Sequence, residues 1–314
     1  MKPAFIFPGQ GSQYVGMGRV LYEQFDAVKK TYQEASDILG YDIAKLCFEG
    51  PEEKLNQTEY TQPALLTTSI AVWRALGSSA DIARAVAGHS LGEYSALVAA
   101  GAICFSDAVS LVSQRGRFMQ EAVAFGEGGM AAVVGLSAKE VEAICNVVVA
   151  EGFEIFPANF NAPDQVVIAG RKNGLEKAMP RLTEKGAKRI IPLSVSVPSH
   201  TPLMKPACAR LSDALYKITG KDISIPLINN LEAKAITKWL DVRTSLVSQL
   251  AFPLLWDQTI QNMKAMGVDC FIEIGPSRVL SGLMKRIDRT ARVINAEDPE
   301  GVARVAEAIK GGVC

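Results

Sequence analysis

Histidine is nearly missing from this chain: there are two, His89 and His200. That scarcity excludes a His-rich metal site, and no cysteine stands close enough to either histidine in sequence to help. The six cysteines (47, 104, 145, 208, 270 and 314) are widely scattered, with no Cys-x-x-Cys pair. They read as reduced thiols of a cytoplasmic protein, mostly buried as small apolar groups. Net charge is absent too, because 33 Lys+Arg balance 33 Asp+Glu. A neutral total argues against a nucleic-acid or membrane-surface partner. No run of about 18 apolar residues is present to span a membrane. The opening "MKPAFIFPGQGSQ" meets Pro8 and Gly9 too soon to be a signal peptide. Internal repeats and low-complexity segments are also lacking.

What remains is an ordinary globular balance, 48% apolar and 21% charged over 314 residues. That length exceeds one usual hydrophobic core, so two units are expected. "AFIF" (4–7) is a short apolar run ended by Pro-Gly, and "ARAVAG" (83–88) is another, both strand signals. Helical patterns cover Val20–Leu39, Pro63–Leu76, "EYSALVAAG" with Gly101 past its end, and Ser106–Val123. Alternating strands and helices predict a parallel sheet wrapped by helices.

The middle differs. "GMAAVVGL" reads as a strand, and Ser137 with Glu140 forms a capping box that starts a helix. "FEIFPAN" and "DQVVIAG" are strands with no helix between them. "NGLEKAMPRLTEKG" is helical, though Pro180 must shorten or kink it. "AKRIIPL" closes the unit as a strand. This βαββαβ order predicts a ferredoxin-like insertion over 126–196, with 1–125 and 197–314 forming the larger α/β subdomain. After it come a helix from Met204 to about Ile218, strand "SIPLINN", a helix stopped before Pro253, strand "VDCFIEIG" and a short strand "ARVINA".

Ser90 sits in "GHSLG" (88–92), a Gly-x-Ser-x-Gly spacing between strand and helix. The flanking glycines allow tight backbone packing while the hydroxyl stands exposed at the tip of a turn. The alternative is a serine that caps a helix. A serine nucleophile needs a base, and His89 adjoins Ser90 on a turn where neighbouring side chains diverge. His200, in the proline-stiffened "SVSVPSHTPLM", is then the base by elimination; the alternative is a surface-loop histidine. Arg115 falls on the apolar stripe Ala108, Val112, Met119 and Ala122, whereas Arg117 falls off it. A buried guanidinium needs an anionic or strong acceptor partner, either an internal carboxylate or a substrate carboxylate gripped by the fork. "FPGQGSQYVGMG" (7–18) fails as a nucleotide loop, since Tyr14 takes the last glycine place and no Walker lysine follows. It is either a turn that aims backbone N–H groups at an oxyanion or a turn alone. Gln249, beside an apolar helical face, reads as structural.

Taken together, "FPGQGSQ", "TQPALLTTSIA", "GHSLGEYSALVAAG", "SQRGRFMQEA", "NFNAPDQVVIAG", "VPSHTPLMKPA" and "EIGPSRVLSGLMKRI" resemble, in order, the malonyl-CoA:acyl-carrier-protein transacylases of fatty-acid synthesis. The resemblance spans essentially the whole chain. It implies an α/β-hydrolase-like large subdomain carrying the ferredoxin-like small one. It implies malonyl transfer from malonyl-CoA to acyl carrier protein, with Ser90 acylated and His200 as its base. A backbone carbonyl at Gln249 would orient His200, Arg115 would hold the acyl carboxylate, and the Gln10 and Leu91 N–H groups would form the oxyanion hole. Asn159 matches a polar residue near the site. No cofactor or metal is implied, and the working form is a monomer. The carrier is acidic in this family, which makes Lys188, Arg189, Lys285, Arg286 and Arg289 docking candidates. Two rivals are a trans-acting acyltransferase of a polyketide pathway and an α/β-hydrolase thioesterase; a third is a non-catalytic carrier-docking protein.

Overall fold

The computed structural model describes residues 2–77, 80–124, 126–195 and 197–311. Within these, the strands are β1 (Pro3–Phe7), β2 (Ala85–Gly88), β3 (Gly128–Val134), β4 (Ile155–Ala162), β5 (Gln165–Arg171), β6 (Arg189–Pro192), β7 (Leu227–Ile228), β8 (Ala235–Ile236), β9 (Cys270–Ile274) and β10 (Arg292–Ala296). One sheet runs β10-β9-β1-β2-β7-β8 and is parallel from β10 to β7, with β8 antiparallel at its edge. The other runs β4-β5-β3-β6 and is antiparallel throughout. With helices Ala138–Ala150 and Lys172–Glu184 between its strands, the second sheet has the expected ferredoxin-like order, and the first is the parallel sheet of an α/β-hydrolase-like unit.

β1 shows why the parallel sheet forms there. All five of its residues are buried, as a central strand covered on both faces requires. Phe5 and Phe7 point one way and meet Trp73 edge-on, at 4.9 and 6.4 Å between ring centroids. Ala4 and Ile6 point the other way, into a cluster with Trp256, Ile260 and Leu283. Trp73 lies in the last turn of a helix, Thr58–Leu76, in which every residue from Thr61 to Trp73 is buried. A helix buried on all sides belongs inside a large α/β layer.

The two sheets are laced together at β4. Leu254 N–H donates to Ala158 O and Leu254 O accepts from Phe160 N–H, each at 2.8 Å. Arg286 adds a two-pronged ion pair to Asp164, in the β4–β5 turn, at 3.1 and 2.8 Å.

Several expectations need correction. The helical pattern 20–39 is two helices, Arg19–Gln24 and Asp26–Leu39, because Phe25 is extended. The helix expected from Pro63 begins at Thr58, with Pro63 inside it, and Pro180 lies inside Lys172–Glu184 without ending it. "SIPLINN" gives only the two-residue β7, after Pro226. Helices Trp256–Ala265, Val279–Ile287 and Pro299–Gly311 add to those expected. Cys47, Cys104, Cys145 and Cys208 are free thiols; Cys47 and Cys145 are buried, whereas Cys104 is exposed. The C-terminal "GGVC" lies outside the described residues.

Candidate active site

The turn after β2 is built by glycines. A Cβ on Gly88 would lie 1.8 Å from the Gly92 carbonyl carbon, and one on Gly92 would lie 2.1 Å from Phe7 O. A Cβ on Gly9 would lie 2.1 Å from His89 O. Only bare backbone lets the loop after β1 nest this closely against the turn. Ser90 then takes φ 52°, a left-handed conformation that costs a side-chain-bearing residue about 1–2 kcal/mol. The surrounding bonds enforce it: His89 N–H to Phe7 O at 2.9 Å, and Ser90 N–H to Asn230 Oδ1 at 2.7 Å. The Ser90 hydroxyl caps no helix N–H; its partners are Arg115 and His200.

His200 also has a positive φ, 62°, and is buried. Its Nδ1 lies 2.7 Å from Gln249 O and its Nε2 lies 2.9 Å from Ser90 Oγ. A carbonyl can only accept, so Nδ1 carries the proton and Nε2 is bare toward the serine hydroxyl. Burial lowers the imidazole to about 3, helped by the Arg115 charge and His89 and opposed by the Gln249 carbonyl. His89 turns away, with Nε2 2.8 Å from Asn161 Oδ1 and its ring edge-on to Trp256. Burial lowers its basicity too.

Arg115, in helix Phe105–Ala122, is 1% exposed, while Arg117 is exposed. Among the described residues no carboxylate forms an ion pair with Arg115. Its NH2 donates to Ser90 Oγ at 3.2 Å and to Gln249 Oε1 at 3.0 Å, and its Nε has no partner. Tyr94 lies under the guanidinium at 5.4 Å. Burial lowers the guanidinium's affinity for its proton, opposed by Tyr94 and Glu93.

These groups face a cavity of about 450 Å³ between the two sheets. Gln10, Leu91 and Asn159 line it as well. Neither the Gln10 nor the Leu91 backbone N–H donates to any described residue. The Gln10 side chain is held aside by Thr58 Oγ1 at 3.1 Å. Asn159 is buried on β4, with its Oδ1 lacking a partner. Among the described residues, no three His, Cys, Asp or Glu side chains are grouped to hold a metal ion, and no helix is long and apolar enough to cross a membrane.

The family model for the acyl transferase domain matches residues 4–305. The chain is 47% identical to the malonyl CoA-acyl carrier protein transacylase of Bacillus subtilis (strain 168), over 98% of each chain. The chain belongs to that transacylase family. It is also 48% identical to the transacylase of Escherichia coli (strain K12), covering 97% of this chain and 98% of that one. A solved transacylase from Coxiella burnetii superposes with a TM-score of 0.95 at 42% identity, over 98% of each chain. A malonyl-transacylase solved in complex with a type II PKS acyl-carrier protein gives a TM-score of 0.94 at 44% identity, over 99% of this chain and all of that one.

In this member of the transacylase family two site residues had escaped the sequence reading. Glu93, one helical turn after Ser90, is fully buried. Its Oε2 accepts from Gln249 Nε2 at 2.6 Å, and its Oε1 accepts from the Asn230 backbone N–H. Burial raises its carboxyl to about 8, against the pull of Asn230, Arg115 and Gln249. The available signal was a glutamate flanked by Leu91, Tyr94 and Leu97 on a short apolar helix. Asn230 gave no signal beyond ending "LINN". Gln249, read as structural, touches Arg115, Glu93 and His200 at once. Of the basic docking candidates, Arg286 is committed to Asp164, whereas Lys188, Arg189, Lys285 and Arg289 are exposed.

Proposed function

We propose that the chain transfers a malonyl group from malonyl-CoA to the phosphopantetheine thiol of an acyl carrier protein, by a ping-pong path through a malonyl-Ser90 ester. The observation that carries this is the bare Nε2 of His200 bonded to the same hydroxyl that a buried, carboxylate-free Arg115 reaches. His200 takes the Ser90 proton as Oγ attacks the thioester carbon. The Gln10 and Leu91 N–H groups receive the oxyanion, each worth about 10²–10³ in rate. The C–S bond breaks and His200 returns the proton to the coenzyme A sulfur. The carrier thiol then gives its proton to His200, attacks the ester, and Ser90 Oγ leaves with that proton.

Arg115 grips the malonyl carboxylate in both half-reactions, which favours carboxylated acyl groups. Asn159 offers its free Oδ1 to the arm of the incoming thioester. We further propose that 1–125 with 197–314 and 126–196 are the two subdomains, and that the enzyme works as a cytoplasmic monomer. The solved neighbour in complex with a polyketide carrier supports a second acceptor reading, a polyketide rather than a fatty-acid carrier.

Intact-mass spectrometry after incubation with malonyl-CoA tests the central claim. The wild type should gain one malonyl group and Ser90→Ala none. An adduct that survives Ser90→Ala refutes the nucleophile. Rapid release of free malonate without any acceptor would favour a thioesterase. Supplying each carrier type then separates the two acceptor readings.

A further inference from the structure

No step above uses Glu93, yet it stands one residue behind each group that acts. Gln249 joins it to Arg115 through its amide and to His200 through its backbone carbonyl. Asn230 joins it to the Ser90 N–H, through a backbone N–H on one side and Oδ1 on the other.

The amide of Gln249 lies between a group that only donates and a group whose two oxygens both accept. The two ends of a primary amide are nearly alike in shape, so only the chemistry of its neighbours decides its orientation. Arginine only donates, so the amide oxygen faces Arg115 and its nitrogen faces Glu93 Oε2, while the other Glu93 oxygen accepts from the Asn230 N–H. Had Glu93 touched Arg115 directly, it would have occupied the donors that a substrate carboxylate requires. With the amide interposed, Glu93 reaches Arg115 only through Gln249, and among the described residues Arg115 Nε has no partner.

We propose, resting on the transferase reading above, that Glu93 is a positioning residue for acyl selectivity: by fixing the Gln249 amide it holds the Arg115 fork open for a carboxylated acyl group. Glu93→Gln is nearly isosteric and reveals the role. Its oxygen must serve the Asn230 backbone N–H, which cannot turn. Its NH2 then faces Gln249, whose amide flips and presents NH2 to Arg115. Donor meets donor, and the guanidinium swings out of place.

The experiment measures malonyl-enzyme and acetyl-enzyme formation from the two coenzyme A thioesters for wild type, Glu93→Gln, Arg115→Ala and the double variant. Glu93→Gln should lower the malonyl-to-acetyl rate ratio about 10- to 100-fold, as expected for one lost charge-assisted hydrogen bond. In the Arg115→Ala background it should lower the ratio no further, since the two changes share one interaction. Equal loss of both rates, or an undiminished effect without Arg115, overturns the proposal.

The exchange Glu93→Gln with Gln249→Glu keeps the question open to refutation should Glu93→Gln not fold. It satisfies the same donors and keeps the same charge, but sets a carboxylate directly on Arg115. Wild-type thermal stability with a low ratio is expected. Recovery of the wild-type ratio would mean that Glu93 supplies only structure, and would defeat the proposal. A wild type that forms no malonyl adduct defeats the transferase reading itself. An Arg115→Ala effect with an indifferent Glu93→Gln defeats this inference alone.

Discussion

Replacing Arg115 with alanine should separate malonyl from acetyl transfer. In the free site the guanidinium makes two side-chain hydrogen bonds, to Ser90 Oγ and to Gln249 Oε1, and keeps Nε unpaired. A malonyl carboxylate gripped by the fork gains two charge-assisted bonds, each worth about 1.5–3 kcal/mol. Their loss amounts to about 3–6 kcal/mol, or about 10²–10⁴ in rate at 1.4 kcal/mol per factor of ten. An acetyl group has no carboxylate to lose. For it the cost is confined to the contact with Ser90 Oγ, which His200 still holds at 2.9 Å. The stranded Gln249 Oε1 weakens the protein equally for either substrate, so it cancels in the ratio. Rapid-quench intact-mass measurements with malonyl-CoA and with acetyl-CoA give kcat/KM for each acylation. Arg115→Lys, which keeps the charge and loses the fork, should fall between wild type and alanine. Equal losses for the two thioesters would show that Arg115 merely props the cavity open, and the proposed substrate class would fall with it.

Two further outcomes concern protonation of the site and stability of the fold. With only two histidines, imidazole NMR reads the site directly: neither ring should titrate with the ordinary midpoint of 6.5, and His200 should hold out to about 3. Because its folded value is depressed, His200 binds fewer protons folded than unfolded; its contribution to stability is complete above about 6.5 and is lost as pH falls toward 3. A His200 midpoint at or above 6.5 would contradict the bare, buried Nε2. Pro180→Ala, at an exposed position inside helix Lys172–Glu184, should raise the melting temperature. The helix-interior penalty of proline is about 3 kcal/mol, offset by up to about 1 kcal/mol of unfolded-state entropy, leaving a gain of about 2. An unchanged or lower melting temperature would mean the surrounding chain depends on that proline.

Ser90 and His200 were legible because their signals are local or exclusive: a glycine-framed turn in one case, a shortage of rivals in the other. Arg115 was legible from helical spacing, since a charge on an apolar stripe is conspicuous. Glu93 and Asn230 were not, because their bond joins residues 137 positions apart and no periodicity encodes such a meeting. Gln249 was undervalued for the same reason, its side chain reaching partners 134 and 156 positions away. The βαββαβ order of the middle segment was read closely because Ser137 and Glu140 form a true capping box. Strand length failed at "SIPLINN", where apolar composition outran actual pairing. Phe25 was misread because one extended residue interrupts a pattern whose apolar stripe continues across it.

One short segment connects the second sheet to the chemistry. Gln249 supplies the carbonyl that holds His200, and five residues later Leu254 is tied by both backbone groups to β4. Leu255 N–H is tied in turn to Asn230 O, beside the residue that holds Ser90. The stretch is therefore anchored at both ends, to the antiparallel sheet at one and to the imidazole at the other. The carbonyl that orients the base is thus only five residues from a point where the chain is pinned to the antiparallel sheet by both backbone groups.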